Sequence, residues 1–227
     1  MNELIGKNLR FLIRSHAVSI NDVAARLNHD VNWIVDLQEN KREPELSDII
    51  SISDFFKISI DRLVKKDLSR KPKDIRFLVL DVDGVMTDGG MIFDSIGMET
   101  KVYNTKDGMA IKETLMRGVD VGFISSGFSD ALVRNRAEML GVTKVYVGTE
   151  NKLHVLNQWV IDFHIPMNEV AYIGDDINDL PCIEAAGFSA CPSDAVEKIK
   201  NAVDVVLESK GGKGCVREFV EEYLFEL

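Results

Sequence analysis

The sequence predicts an α/β protein: a doubly wound parallel sheet with a β-hairpin insertion, preceded by a small all-α domain. Three observations carry that prediction. The run Phe77-Leu78-Val79-Leu80 is continuously apolar and stops at Asp81-Val82-Asp83-Gly84, as a strand buried on both faces does at its carboxyl end. Beyond it, short apolar runs alternate with helical stretches to the end of the chain. Ahead of it, residues 1–67 show helical periodicity.

Composition narrows the class. A chain of 227 residues accommodates two domains, and 45% hydrophobic residues supports a real core. No apolar run is long enough to cross a bilayer. The start, Met1-Asn2-Glu3-Leu4-Ile5-Gly6-Lys7, lacks the basic region and apolar core of a signal peptide. With three cysteines at no zinc-finger spacing, a reducing cytoplasmic location and no membrane partner are expected. A net charge of −10 opposes broad attraction to nucleic acid.

In the first segment Leu4, Leu9, Leu12 and Ile13 form a helical stripe. Ser19 is placed to cap a second helix, with Asp22 at its third position and Val23, Ala24 and Leu27 on its apolar face. A third helix is expected over 31–38, a fourth from Leu46 to Phe56 and a short fifth from Ile60 to Val64. From Ser19 through the Phe55–Leu63 ending, this pattern resembles the lambda-repressor-like helix-turn-helix domain of the Cro/phage-repressor superfamily. DNA binding does not follow automatically. The candidate recognition helix carries Asp30 and Asp36, no Lys or Arg, and only Asn32 and Gln38 as amides. Residues 1–68 hold ten basic and eleven acidic side chains, a net of −1. DNA is therefore a possible but not the favoured partner, beside assembly or protein interaction.

Residues 68–74 are polar, charged and contain Pro72, as a domain boundary does. The second domain is expected over 75–227. Met91–Phe93 and Lys101–Tyr103 flank a glycine-containing turn, which predicts the hairpin. A helix is expected from Gly108 to Arg117, a strand over 119–124, a helix over 129–140 and a strand over 144–147. Lys152 opens the next helix, to about Phe163, and a strand follows over 170–173. Two short strands, near 188–190 and 203–206, and a helix over 216–223 complete the pattern.

The polar groups fall at corresponding positions. Strands end in Asp81 and Asp83, in Ser125, and in Asp175 with Asp179, while a helix begins at Lys152. Strand ends of one parallel sheet converge on a crevice. Carboxylates gathered there repel unless a cation sits among them, and oxygen-only ligands favour Mg²⁺. Lys152 and the Ser125 hydroxyl suit phosphate oxygens. The set fits metal-assisted phosphoryl transfer to a carboxylate nucleophile. Each part has a plainer reading as an acidic turn, a helix cap or a solvated side chain.

Asp81-Val82-Asp83-Gly84-Val85, Ser125, Lys152 and Gly174-Asp175-Asp176 through Asp179 resemble, in order, the four motifs of the haloacid dehalogenase-like phosphatase superfamily, whose sheet is Rossmann-like. Only the hairpin lies between Asp88 and Gly108, which resembles the capless branch containing 3-deoxy-D-manno-octulosonate 8-phosphate phosphatase and related nine-carbon sugar-acid phosphatases. The resemblance implies that Asp81 is the nucleophile and Asp83 the general acid and base. It implies Mg²⁺ on Asp81, the Asp83 carbonyl and Asp175, with Asp179 in support. Ser125 and Lys152 would bind the phosphoryl group. Asn104, Thr105, Lys106, Asp107, Gly108, Lys112 and Arg136 match the branch's substrate-contacting positions. It also implies a homotetramer and a role in lipopolysaccharide biosynthesis.

The chain departs from the branch in places. Lys106 and Lys112 stand where arginine is usual, and Lys lacks the fork that matches a carboxylate. The branch reads Thr-Gly-Arg after its second strand; this chain reads Ser125-Ser126-Gly127-Phe128, one residue longer and without the arginine. Gly211–Gly214 predicts a flexible loop near an active site, its own or a neighbour's. The competing reading is a DNA-binding regulator whose phosphatase-like domain senses a phosphorylated metabolite.

Overall fold

A computed structural model describes residues 2–225. The chain divides into two compact units, Met1–Arg70 and Lys71–Leu227.

Among the described residues the first unit has five helices: α1 Asn2–Ser15, α2 Ile20–Leu27, α3 Val31–Gln38, α4 Leu46–Phe56 and α5 Ile60–Lys65. Their starts are set by local chemistry. The Ser19 and Asp30 side chains accept the backbone N–H groups of Asp22 and Trp33, satisfying donors that a helix start leaves free. Leu9, Leu12, Val23, Ile34, Leu37, Ile52 and Leu63 fill the core. Asn8 is fully buried: its amide donates to the carbonyls of Leu63 (2.8 Å) and Lys66 (2.7 Å), and its oxygen accepts from Leu68 N–H. Residues 68–70 therefore belong with the first unit rather than to a free connector.

The second unit is built on a six-stranded parallel sheet of β1 Phe77–Asp81, β4 Asp120–Ser125, β5 Lys144–Val147, β6 Val170–Ile173, β7 Phe188–Cys191 and β8 Val205–Val206, in the order β5-β4-β1-β6-β7-β8. A separate antiparallel pair, β2 Ile92–Phe93 and β3 Glu99–Thr100, forms the hairpin. The helices are α6 Thr105–Met116, α7 Asp130–Leu140, α8 Lys152–Phe163, α9 Leu180–Ala185, α10 Glu197–Ala202 and α11 Cys215–Phe219, the last continued by a wider turn over Val220–Leu224. Both sheet faces are covered. Leu78 and Leu80 join one core with Phe123, Ile173 and Phe219, while Phe77 and Val79 join the other with Trp159 and Tyr172. Alternating side chains of one fully buried strand feed two layers, which is why β1 shows no polar alternation. Central β1 lies between β4 and β6, with Leu80 beside Phe123 and Ile173. The order reverses at β1, where open α/β sheets place ligands.

The hairpin and the start of α6 depart from the expected boundaries for identifiable reasons. The second hairpin strand is Glu99–Thr100, not Lys101–Tyr103. Asp94 Oδ1 accepts the N–H groups of Ile96 (3.0 Å) and Met98 (2.8 Å), closing a tight loop that pairs Phe93 with Glu99. Helix α6 starts three residues before Gly108, because Asn104 caps it by accepting Lys106 N–H at 2.8 Å.

Candidate active site

The acids arrive where β1 runs out. Asp81 is its last residue and is buried. The chain then turns through Val82–Met86, with Gly84 at φ +95°. A methyl group on Gly84 would lie 2.1 Å from Asp175 Oδ2, so both the backbone angle and the space require glycine. This turn brings Asp83 back over the strand end beside Ser125, the last residue of β4. Ser125 Oγ donates to Asp83 Oδ2 (3.2 Å) and accepts Gly127 N–H (3.0 Å).

Lys152, the first residue of α8, is buried, and its ammonium donates to Asp81 Oδ1 and Asp179 Oδ1, each at 2.7 Å. Asp179 is fully buried. It also accepts Tyr172 OH (2.7 Å) and the N–H groups of Asp175 (3.0 Å) and Asp176 (3.3 Å). Its oxygens are thus committed to protein donors, which fix Lys152 and the Asp175 loop. One carboxylate oxygen from each of Asp81, Asp175 and Asp179 lies within 4.8 Å of the others. Burial, then Asp179, holds the Asp81 carboxyl well above the usual range, against the pull of Lys152. The same two causes push Asp175 up to about 6. Asp175 Oδ1 is buried without a hydrogen-bond partner. Crowded, destabilised carboxylates with an unsatisfied oxygen fit a hard divalent cation.

Of these groups Asp81, Asp83 and Asp175 open into a cavity of about 580 Å³, whose wall also includes Asn178, Met91, Phe93, Phe128, Glu99 and Lys101. Phe128 occupies the loop that lacks arginine and is almost wholly exposed.

The structure thus brings together Asp81, Asp83, Ser125, Lys152, Asp175 and Asp179. The remaining predicted positions lie off the cavity wall. Asn104, besides capping α6, donates to Gly212 O at 3.3 Å. Asp107 is buried and accepts Arg217 N–H at the start of α11 (2.9 Å). Gly108 faces Arg136, whose guanidinium donates to Asn104 O (3.2 Å) and stands over the Tyr103 ring. These residues brace α6, α7 and α11 together, while Thr105, Lys106 and Lys112 are exposed. The glycine-rich stretch is docked rather than loose. Gly212 N–H donates to Val85 O (2.9 Å), and a methyl on Gly211 would lie 1.9 Å from Gly84 O.

Sequence reasoning missed Lys101, Glu99 and Tyr172. Glu99 and Lys101 stand two residues apart where the hairpin ends and pair with each other, a spacing visible in the sequence; the further partner of Lys101, Asp83, lies on a different element.

A parallel sheet with acids at the end of its central strand, a buried lysine and a second acidic loop defines a class of phosphoryl-transfer fold. The sequence profile of haloacid dehalogenase-like hydrolases matches residues 131–219. The 3-deoxy-D-manno-octulosonate 8-phosphate phosphatase KdsC of Escherichia coli K12 is 37% identical over 155 residues, 68% of this chain and 82% of that protein. The enzyme of that name from Moraxella catarrhalis, solved with a magnesium ion, a phosphate ion and a KDO molecule, aligns with a TM-score of 0.65 at 32% identity, over 69% of this chain and 89% of that one. The cobalt-bound deoxy-D-mannose-octulosonate 8-phosphate phosphatase of Haemophilus influenzae aligns with a TM-score of 0.65 at 35% identity, over 67% and 89%. This chain belongs to the haloacid dehalogenase-like phosphatases.

Proposed function

We propose that this protein hydrolyses a sugar-acid phosphate, either 3-deoxy-D-manno-octulosonate 8-phosphate or a related nonulosonate 9-phosphate, through an aspartyl-phosphate. The observation that carries the reading is the Asp81 carboxylate at the end of β1, held by Lys152 at 2.7 Å with the Asp83–Ser125 pair beside it. A phosphoryl group bound by Lys152 and Ser125 presents its phosphorus to Asp81. As the Asp81–phosphorus bond forms and the bond to the sugar oxygen breaks, Asp83 gives that oxygen a proton. In the second half Asp83 takes a proton from the water that attacks the aspartyl-phosphate.

Mg²⁺ suits the donor set formed by the Asp81 carboxylate, the Asp83 carbonyl and Asp175, with Asp179 one bond removed. When bound, it supplies charge neutralisation at the phosphoryl oxygens. The magnesium and phosphate found with the Moraxella enzyme support this reading. Asp81→Asn is expected to abolish phosphate release, and a chelator to suppress it reversibly.

The exposed hairpin suits a homo-oligomer, a homotetramer by the resemblance, in which neighbours complete the site with Lys106 and Lys112. Met91, Ile92, Phe93, Ile96 and Met98 are each more than half exposed, an apolar surface suited to a partner. We read residues 1–67, with 68–70 packed on them, as a helix-turn-helix domain serving assembly rather than DNA binding, joined through residues 71–74 to the phosphatase domain. Among the described residues no helix is long and apolar enough to cross a membrane. A cytoplasmic site of action accords with three buried cysteines that form no disulfide.

A further inference from the structure

We propose that Lys101, delivered by the hairpin, is a positioning residue for acid–base catalysis: it holds one oxygen of Asp83 so that the other addresses the leaving oxygen of the substrate. This rests on the phosphatase reading above.

The Lys101 side chain is only 5% exposed although the hairpin around it is open to solvent. Its ammonium donates to Asp83 Oδ1 and to Glu99 Oε1, the latter at 2.8 Å. The other Glu99 oxygen accepts the Ser129 hydroxyl. Ser129 occupies the cap position of α7, yet its side chain makes no capping bond there. Local helix chemistry is forgone to complete the chain Ser129–Glu99–Lys101–Asp83. Anchoring a hairpin alone needs no buried charges, since apolar contact does so without the cost of desolvating them.

The geometry gives each oxygen of Asp83 its own donor. Oδ1 is held by Lys101 and Oδ2 by Ser125 at 3.2 Å. Ser125 is also a phosphoryl-binding residue. A bound phosphoryl group draws the Ser125 hydroxyl away and frees Oδ2, while Oδ1 stays pinned. The Asp83 side chain is 38% exposed, so without Lys101 it can swing into the open cavity. In the step itself the electron pair of the breaking P–O bond stays on the sugar oxygen, which takes the Asp83 proton. Lys101 keeps its own proton throughout.

The experiment compares kcat/KM of the full chain on an alkyl phosphate and on p-nitrophenyl phosphate, for wild type, Lys101→Met, Lys101→Arg, Glu99→Gln and Asp83→Asn. An alkoxide needs a proton in order to leave; nitrophenolate does not. Misplacing a general acid is expected to cost Lys101→Met about 100-fold on the alkyl substrate. Its loss on the aryl substrate is expected to be smaller by about tenfold or more. Asp83→Asn should share that selectivity, Lys101→Arg should recover most of the loss, and Glu99→Gln should show a milder version. Should Lys101→Met fail to fold, Glu99→Gln decides alone by the same ratio. Equal losses on the two substrates, or no loss, would overturn the role of Lys101 while leaving the phosphatase reading intact. A wild type that turns over neither substrate would overturn both.

Discussion

Lys152 Nζ donates to Asp81 Oδ1 across 2.7 Å, with both side chains almost out of contact with solvent. The same ammonium reaches Asp179 Oδ1 at 2.7 Å, so one cation answers two buried carboxylates. Removing it leaves both uncompensated. Lys152→Met is expected to lower stability in chelator by about 3–5 kcal/mol, as breaking a buried ion pair does. Urea denaturation followed by circular dichroism measures it, and the variant should also lose phosphate release.

Gly84 holds a positive φ with the Asp175 carboxylate in the space a side chain needs. Gly84→Ala is expected to cost about 1–2 kcal/mol from backbone strain alone. It must also displace Asp175, so apparent Mg²⁺ affinity should fall about 10–100-fold. Titration calorimetry with Mg²⁺ reads the second effect separately from a thermal melt.

The raised Asp175 carboxyl, at about 6, sets a pH dependence. It is an acid whose folded value lies above its unfolded one, so the folded chain binds the extra proton and metal-free stability declines as pH rises toward 6. A cation binds only the carboxylate. The rise in Tm caused by Mg²⁺ should be full above pH 6 and shrink as pH falls through 6. Apparent affinity should drop about tenfold per pH unit below that point. Melts with and without Mg²⁺ at pH 5 and pH 7.5 test the sign.

In the first unit, α3 and its cap offer Asp30, Asp36 and two amides but no cation to a base edge. Mobility shifts of the full chain on genomic fragments at low salt are expected to show no salt-sensitive binding. A complex that dissolves with rising salt would restore the DNA-binding reading.

Much of this was legible in the sequence because its causes are local. Strands Lys144–Val147 and Val170–Ile173 and the opening of α8 at Lys152 follow from short apolar runs and caps. The acids at strand ends follow from parallel topology, which converts separate motifs into one crevice. What escaped depends on contacts remote in sequence. Asp107 serves the start of α11, and Arg136 turns to Asn104 rather than to the cavity. The Asp94 turn shifts the hairpin register and so frees Lys101 to reach Asp83. Gly211 and Gly212 looked loose because glycine permits mobility, but here it permits close approach to Gly84 and Val85.

The most direct test of the central claim is phosphate release from a panel of sugar phosphates that includes the eight- and nine-carbon keto-acid phosphates. It is run with Mg²⁺ and with chelator, for wild type and Asp81→Asn. The account predicts metal-dependent turnover of a keto-acid phosphate that the substitution abolishes. Binding of one of these phosphates without any release by the wild type would contradict it and leave a sensor in place of an enzyme.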